Sequence, residues 1–100
     1  MAKGYLVANI RVKDAGLFAE YGKQVAPMIA RFGGRYLVRG GAVMPKEGTP
    51  SLARLVVLEF DSMEAARAFY ESAEYAPLIA LRQRASEGEL ALVEGYLPAV

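Results

Sequence analysis

Two residues of this chain have side chains that could hold or move charge on a small molecule, Arg39 and Glu59. A guanidinium offers a planar fork of donors that fits a carboxylate or an enolate two bonds at a time. A carboxylate in a partly dry pocket is pushed toward the pKa of a useful general base, whereas a neighbouring guanidinium lowers it again. The 100 residues contain no histidine and no cysteine. That removes thiol nucleophiles, thiolate metal sites, disulfides and the easiest proton shuttle. Any base must then be a carboxylate, and Glu59 is the candidate catalytic residue. Candidate binding residues are Arg39, Arg54, Tyr75, Tyr70, Asn9 and Arg11. The phenols at 70 and 75 can orient a substrate or steady an oxyanion, while Tyr21 and Tyr36 read as core. A second reading stays open, in which Arg39 and Glu59 pair across neighbouring strands and only fix register. No acidic grouping has metal-ligand spacing and no glycine-rich turn opens a helix, so neither a metal nor a cofactor is expected.

The elements that must position these residues follow from periodicity. Tyr5–Val12 alternates, with Leu6, Ala8, Ile10 and Val12 on one face and Tyr5, Val7, Asn9 and Arg11 on the other. Asp14 offers an N-cap, and Leu17, Phe18, Tyr21, Val25, Met28, Ile29 and Phe32 recur at helical spacing until Gly33-Gly34. Pro27 inside that pattern predicts a kink or a split. A strand is expected from Arg35 to Gly40, with a continuation through Ala42–Met44, then a turn-rich segment from Pro45 to Ser51. Arg54–Phe60 reads as a β-branched strand, and Asp61 with Glu64 has the spacing of a capping box for a helix carrying Ala65, Ala66, Phe69 and Tyr70. Ser72 is placed to cap a further helix carrying Tyr75, Leu78, Ile79 and Arg82, which Gly88 breaks before a last strand at Leu90–Val93.

The order β-α-β-β-α-α-β within one domain, residues 1–100, predicts an α+β ferredoxin-like fold, a four-stranded antiparallel sheet with helices on one face. The sheet's other face would carry Tyr5, Val7, Asn9, Arg11, Arg35, Leu37, Arg39, Leu55, Val57 and Glu59. That set is too apolar to face water and too charged for a dry core. A second copy of the chain covering it, around a small polar pocket, resolves the conflict and predicts a homodimer.

Composition narrows the class further. Apolar residues make up 54% and charged ones 23%, which excludes a disordered or fibrous chain. Twelve Lys+Arg against eleven Asp+Glu give a net charge of +1, so the electrostatic footprint of a nucleic-acid binder is missing. No apolar run approaches the roughly 20 residues a membrane span needs. The expectation is a soluble protein of the cytoplasm.

The strings Lys3-Gly-Tyr5, Gly33-Gly-Arg35, Arg39-Gly-Gly41, Glu47-Gly48, Val56-Val-Leu-Glu-Phe60, Tyr70-Glu-Ser72, Glu74-Tyr75 and Val93-Glu-Gly95 together resemble the domain of unknown function 1330 family. The resemblance covers nearly the whole chain in the right order, departing at Asp61, where relatives place proline. It implies a dimeric α+β barrel, related in architecture to small-molecule isomerases and cofactor-free monooxygenases, and it carries no catalytic residue of assigned role. Two functions follow as expectations. One is a small-molecule-binding homodimer acting as a cofactor-independent enzyme by proton transfer on an oxo acid or phenolic metabolite. The other is a non-enzymatic binding protein whose charged sheet residues only fix the dimer.

Overall fold

The computed structural model describes residues 2–48 and 52–98, and its strands and helices form where the alternations place them. In β1 (Gly4–Val12), Leu6, Ala8 and Ile10 are buried while Val7 is exposed; Val12, expected inside, is exposed at the strand's end. Asp14, in extended backbone, accepts the Leu17 N–H at 3.0 Å and so satisfies one of the first-turn donors that α1 (Ala15–Arg31) leaves open. That helix buries Tyr21, Val25, Met28 and Ile29 and runs unbroken through Pro27, so the expected split does not occur. β2 (Arg35–Arg39) stops one residue short of Gly40, and Ala42–Met44 is not a strand. Thr49, Pro50 and Ser51 of the turn-rich segment lie outside the described residues.

β3 (Arg54–Phe60) leads into α2 (Met63–Tyr70), whose N-cap is Ser62 rather than Asp61. The Ser62 hydroxyl accepts the Ala65 N–H at 3.1 Å, and Asp61 instead meets Lys3 at 3.6 Å and Arg35 at 3.4 Å. Ser72 takes its expected place at the next helix start, accepting the Tyr75 N–H at 3.1 Å just before α3 (Ala76–Ala85). Gly88 does not end that helix. It lies inside β4 (Ser86–Glu94), where a β-carbon would collide with the Asn9 carbonyl, so the close approach of β1 demands glycine there.

The sheet order is β2-β3-β1-β4 with every neighbouring pair antiparallel, the ferredoxin-like α+β arrangement. The helices cover one face. Leu6, Leu58, Phe60, Val25, Met28, Ile29, Phe69 and Tyr75 pack between the layers as the core. Cross-strand pairing places Arg39, Val56, Ala8 and Leu90 in one row on the helix side, and Val38, Val57, Val7 and Ala91 in one row on the open side.

Candidate functional site

A single irregularity in β2 decides which face Arg39 serves. Tyr36 opposes Leu58 and Val38 opposes Val57, so Leu37 is an extra residue in a β-bulge. Side chains alternate with a period of two, and one inserted residue reverses every position after it. Val38, expected in the core, therefore joins Val57 on the open face. Arg39, expected on the open face beside Glu59, crosses to the helix side beside Val56. The two residues on which the sequence centred its chemistry lie on opposite faces of the sheet.

On the helix side Arg39 enters a cleft between the sheet and α1, with a cavity of about 50 Å³. Small residues open it: Ala8 on the sheet beneath, and Gly22 on the helix, with the Arg39 guanidinium 3.9 Å from where a side chain would start. Arg39 stacks on Tyr36 at 4.4 Å from the ring centre, and Arg54 lies 5.3 Å from the centre of Phe18. Gly40, in the left-handed region at φ +68°, leaves room for the Arg54 guanidinium, which any β-carbon would strike. Arg54, a candidate binding residue, lines the cleft with its side chain, and its Nε is buried with no hydrogen-bond partner. A buried, unpaired donor of this kind costs on the order of 1–3 kcal/mol.

A third guanidinium, that of Arg82, lines the same cleft and is buried. It donates to the Tyr75 hydroxyl at 3.0 Å, and the Tyr75 and Tyr21 hydroxyls lie 2.7 Å apart. Phe69 and Tyr70 hold the Tyr75 ring, with centres 4.4 Å and 5.6 Å away. Burial pushes the pKa of both Tyr21 and Tyr75 up, so both phenols stay neutral. No carboxylate lines the cleft, and among the described residues no ion pair involves Arg39, Arg54 or Arg82.

The open face is paired off by contrast. The Glu59 carboxylate accepts the Tyr5 hydroxyl at 2.9 Å and Arg35 Nε at 2.7 Å, and these bonds hold its pKa below the ordinary value. A carboxylate so stabilised is a poor base. Arg11 forks onto Glu89 at 2.7 and 3.2 Å, and Asn9 donates to Glu89 at 3.4 Å while accepting the Ala53 N–H at 3.0 Å. The candidate residues thus divide, with Arg39, Arg54 and Tyr75 on the helix side and Glu59, Asn9 and Arg11 on the other. Tyr70 is half-buried beside Tyr75, at the end of α2. Sequence reasoning missed Tyr21, taken for core, and Arg82, read only as one of the residues the last helix carries. A signal existed: Arg82 follows Tyr75 by two helical turns on a face otherwise filled by Leu78.

An α+β ferredoxin-like domain with an arginine-rich, acid-free cleft under its helices is the class these observations define. The chain belongs to the family described as Domain of unknown function (DUF1330), whose model matches residues 3–96. No curated protein matches the sequence. Among solved structures, methylated RPA0582 superposes with a TM-score of 0.78 at 18% identity, over 99% of this chain and 84% of that one. RPA0582 is a protein of unknown function from Rhodopseudomonas palustris. A Bacteroides thetaiotaomicron protein described as a possible oxidoreductase gives 0.65 at 16% identity, over 93% of this chain and 97% of its own. SnoaB, a cofactor-independent oxygenase from Streptomyces nogalater, gives 0.65 at 15% identity, over 98% and 97%. These likenesses establish the fold. Among the described residues no helix is long and apolar enough to cross a membrane.

Proposed function

We propose that this protein is a homodimer that binds a small organic anion in the cleft between sheet and helices and acts on it without a cofactor. One observation carries the reading: three guanidinium groups meet an apolar cleft that contains no carboxylate, and one of them buries an unpaired N–H. Arg82 is buried and Arg54 half-buried, while Arg39 reaches the cleft from an exposed position. Cationic groups kept from water without an acid beside them are costly, and a structural role would bring one. An anion supplied from solution completes the set. The cavity volume supports a short chain, being about a third of the roughly 150 Å³ that admits benzene. A flexible open-chain oxo acid can thread so narrow a cleft where a rigid phenolic ring cannot. The similar fold of SnoaB, described as a cofactor-independent oxygenase, supports action without a cofactor on this scaffold.

The non-enzymatic alternative has its own support. Every charged candidate on the open face already has a partner within the protomer, so Glu59, Arg35, Arg11 and Glu89 can serve register and dimer alone. A thermal-shift screen with short oxo acids, plain acids and aromatic acids decides whether the cleft binds. A ligand at 100 times its Kd raises stability by about 2.7 kcal/mol. Arg54→Gln should lose that shift while leaving the free protein as stable or more so, because it removes a half-buried charge whose buried Nε has no partner. If no acid shifts the melting temperature, or if Arg54→Gln leaves the shift unchanged, the anion reading is wrong.

A further inference from the structure

The hydrogen-bond count around Tyr75 does not close. Tyr21 and Tyr75 bring two O–H protons, and only one can lie between their oxygens, 2.7 Å apart. Arg82 adds donors alone and uses one of them on the Tyr75 oxygen. Whichever way the pair is oriented, one phenolic proton has no acceptor among the described residues. Both rings line the cleft and are buried, so that proton is a spare donor at the wall of the cleft.

Position sharpens the meaning of this surplus. Arg39 enters from edge strand β2, while Arg82 borders Ala8, Ile10 and Leu90 toward the opposite edge strand, β4. The row Arg39–Val56–Ala8–Leu90 runs beneath both, with strands about 4.8 Å apart. The cleft thus has a cationic end at Arg39 and Arg54, an apolar floor, and a phenolic end backed by Arg82.

We infer that the Tyr21–Tyr75 pair, positioned by Arg82, is a second oxygen site, and that the ligand is an oxo acid whose carboxylate meets Arg39 and Arg54 while its carbonyl oxygen takes the free phenolic proton. This rests on the anion reading above and specifies its ligand. A single O–H suits one carbonyl or enolate oxygen, whereas a second carboxylate would ask for donors to two. That hydrogen bond polarises the carbonyl it meets, and the Arg82 guanidinium, bonded to the Tyr75 oxygen, favours negative charge building up at this end of the cleft.

Matched acids test this by calorimetry on the intact protein. Levulinate and pyruvate carry the carbonyl, pentanoate and propionate lack it, and succinate replaces the acetyl group of levulinate with a carboxylate. The expected result is that at least one oxo acid binds about tenfold tighter than its plain partner, the contribution of one well-made hydrogen bond. Tyr75→Phe should bring that ratio to about one, and Arg54→Gln should weaken both members of the pair alike. Tyr21→Phe gives the same readout if the Tyr75 variant does not fold. Plain acids binding as tightly as oxo acids, an advantage that survives both phenylalanine variants, or succinate binding tighter than levulinate overturns the oxygen-site inference and leaves the anion reading intact. Failure of every acid to bind overturns both.

Discussion

Glu59 shows how a residue's partners set its role. Its two hydrogen bonds, the first from Tyr5 and the second from Arg35, stabilise the ionised form and lower its pKa from the ordinary 4.5. A depressed carboxylate pKa contributes stability that is fully present above the unfolded value and is lost as the pH falls through the folded one. The same holds for Glu89, whose pKa Arg11 lowers. Melting temperature should therefore decline on acidification below about pH 4.5, and Glu59→Gln should flatten that decline while lowering the neutral-pH melting temperature. An acid limb of unchanged steepness in the variant would refute the assignment. Residue types were legible in the sequence here, since both carboxylate and cation were singled out. Their partnership was not, because strict alternation assigns Arg39 to Glu59 and cannot see one inserted residue. Tyr21 was hidden differently: a phenol on a buried helical stripe looks the same whether its hydroxyl is at the edge or aimed inward.

At the scale of elements, the bulge and the glycine after β2 work together to deliver two arginines. Leu37 reverses the strand so that Arg39 stands on the helix side at the cleft, and Gly40 turns the chain with its N–H bonded to the Leu55 carbonyl at 2.9 Å. At φ +68° and against the Arg54 guanidinium, that position tolerates no side chain without strain or displacement. Gly40→Ala should cost about 1–2 kcal/mol from the left-handed backbone alone. It should also push Arg54 out of the cleft and weaken acid binding at least several-fold, which calorimetry and a melting curve measure together. Equal stability loss with unaltered binding would mean that Arg54 takes no part in the site. Long periodic segments were legible, because Leu6, Ala8 and Ile10, or Tyr21, Val25, Met28 and Ile29, encode their faces redundantly. Local exceptions carry no such redundancy. Ser62 displaces Asp61 as a cap by one residue, and Gly88 reads as a helix stop although the chain is already extended two residues earlier.

For the whole molecule, the question is what covers the open face. Its middle row, Val38, Val57, Val7 and Ala91, crosses all four strands, with Leu37 and Val93 beside it. Val7, Leu37, Val38 and Val93 are 38, 52, 39 and 46% exposed, an apolar band framed by the Arg35–Glu59 and Arg11–Glu89 pairs. A band of several hundred Å² is near the limit for a monomer, and covering it twice in a symmetric pair contributes several kcal/mol at about 25 cal/mol per Å² before association entropy is subtracted. In the proposed dimer the ionic frame would set the register of the contact without placing unpaired charge in its centre. Val7→Glu puts a carboxylate in mid-band, where a lone protomer keeps it hydrated and a dimer would bury it against apolar neighbours. Sedimentation should show the wild type as a dimer of the 10.8 kDa chain and the variant as a folded monomer. The cleft lies in the other layer, between sheet and helices of one protomer, so the monomeric variant should still bind the acid that the wild type binds. Loss of binding on dissociation would mean that the partner completes the cleft, and a wild-type monomer at micromolar concentration would remove the dimer from the proposal altogether.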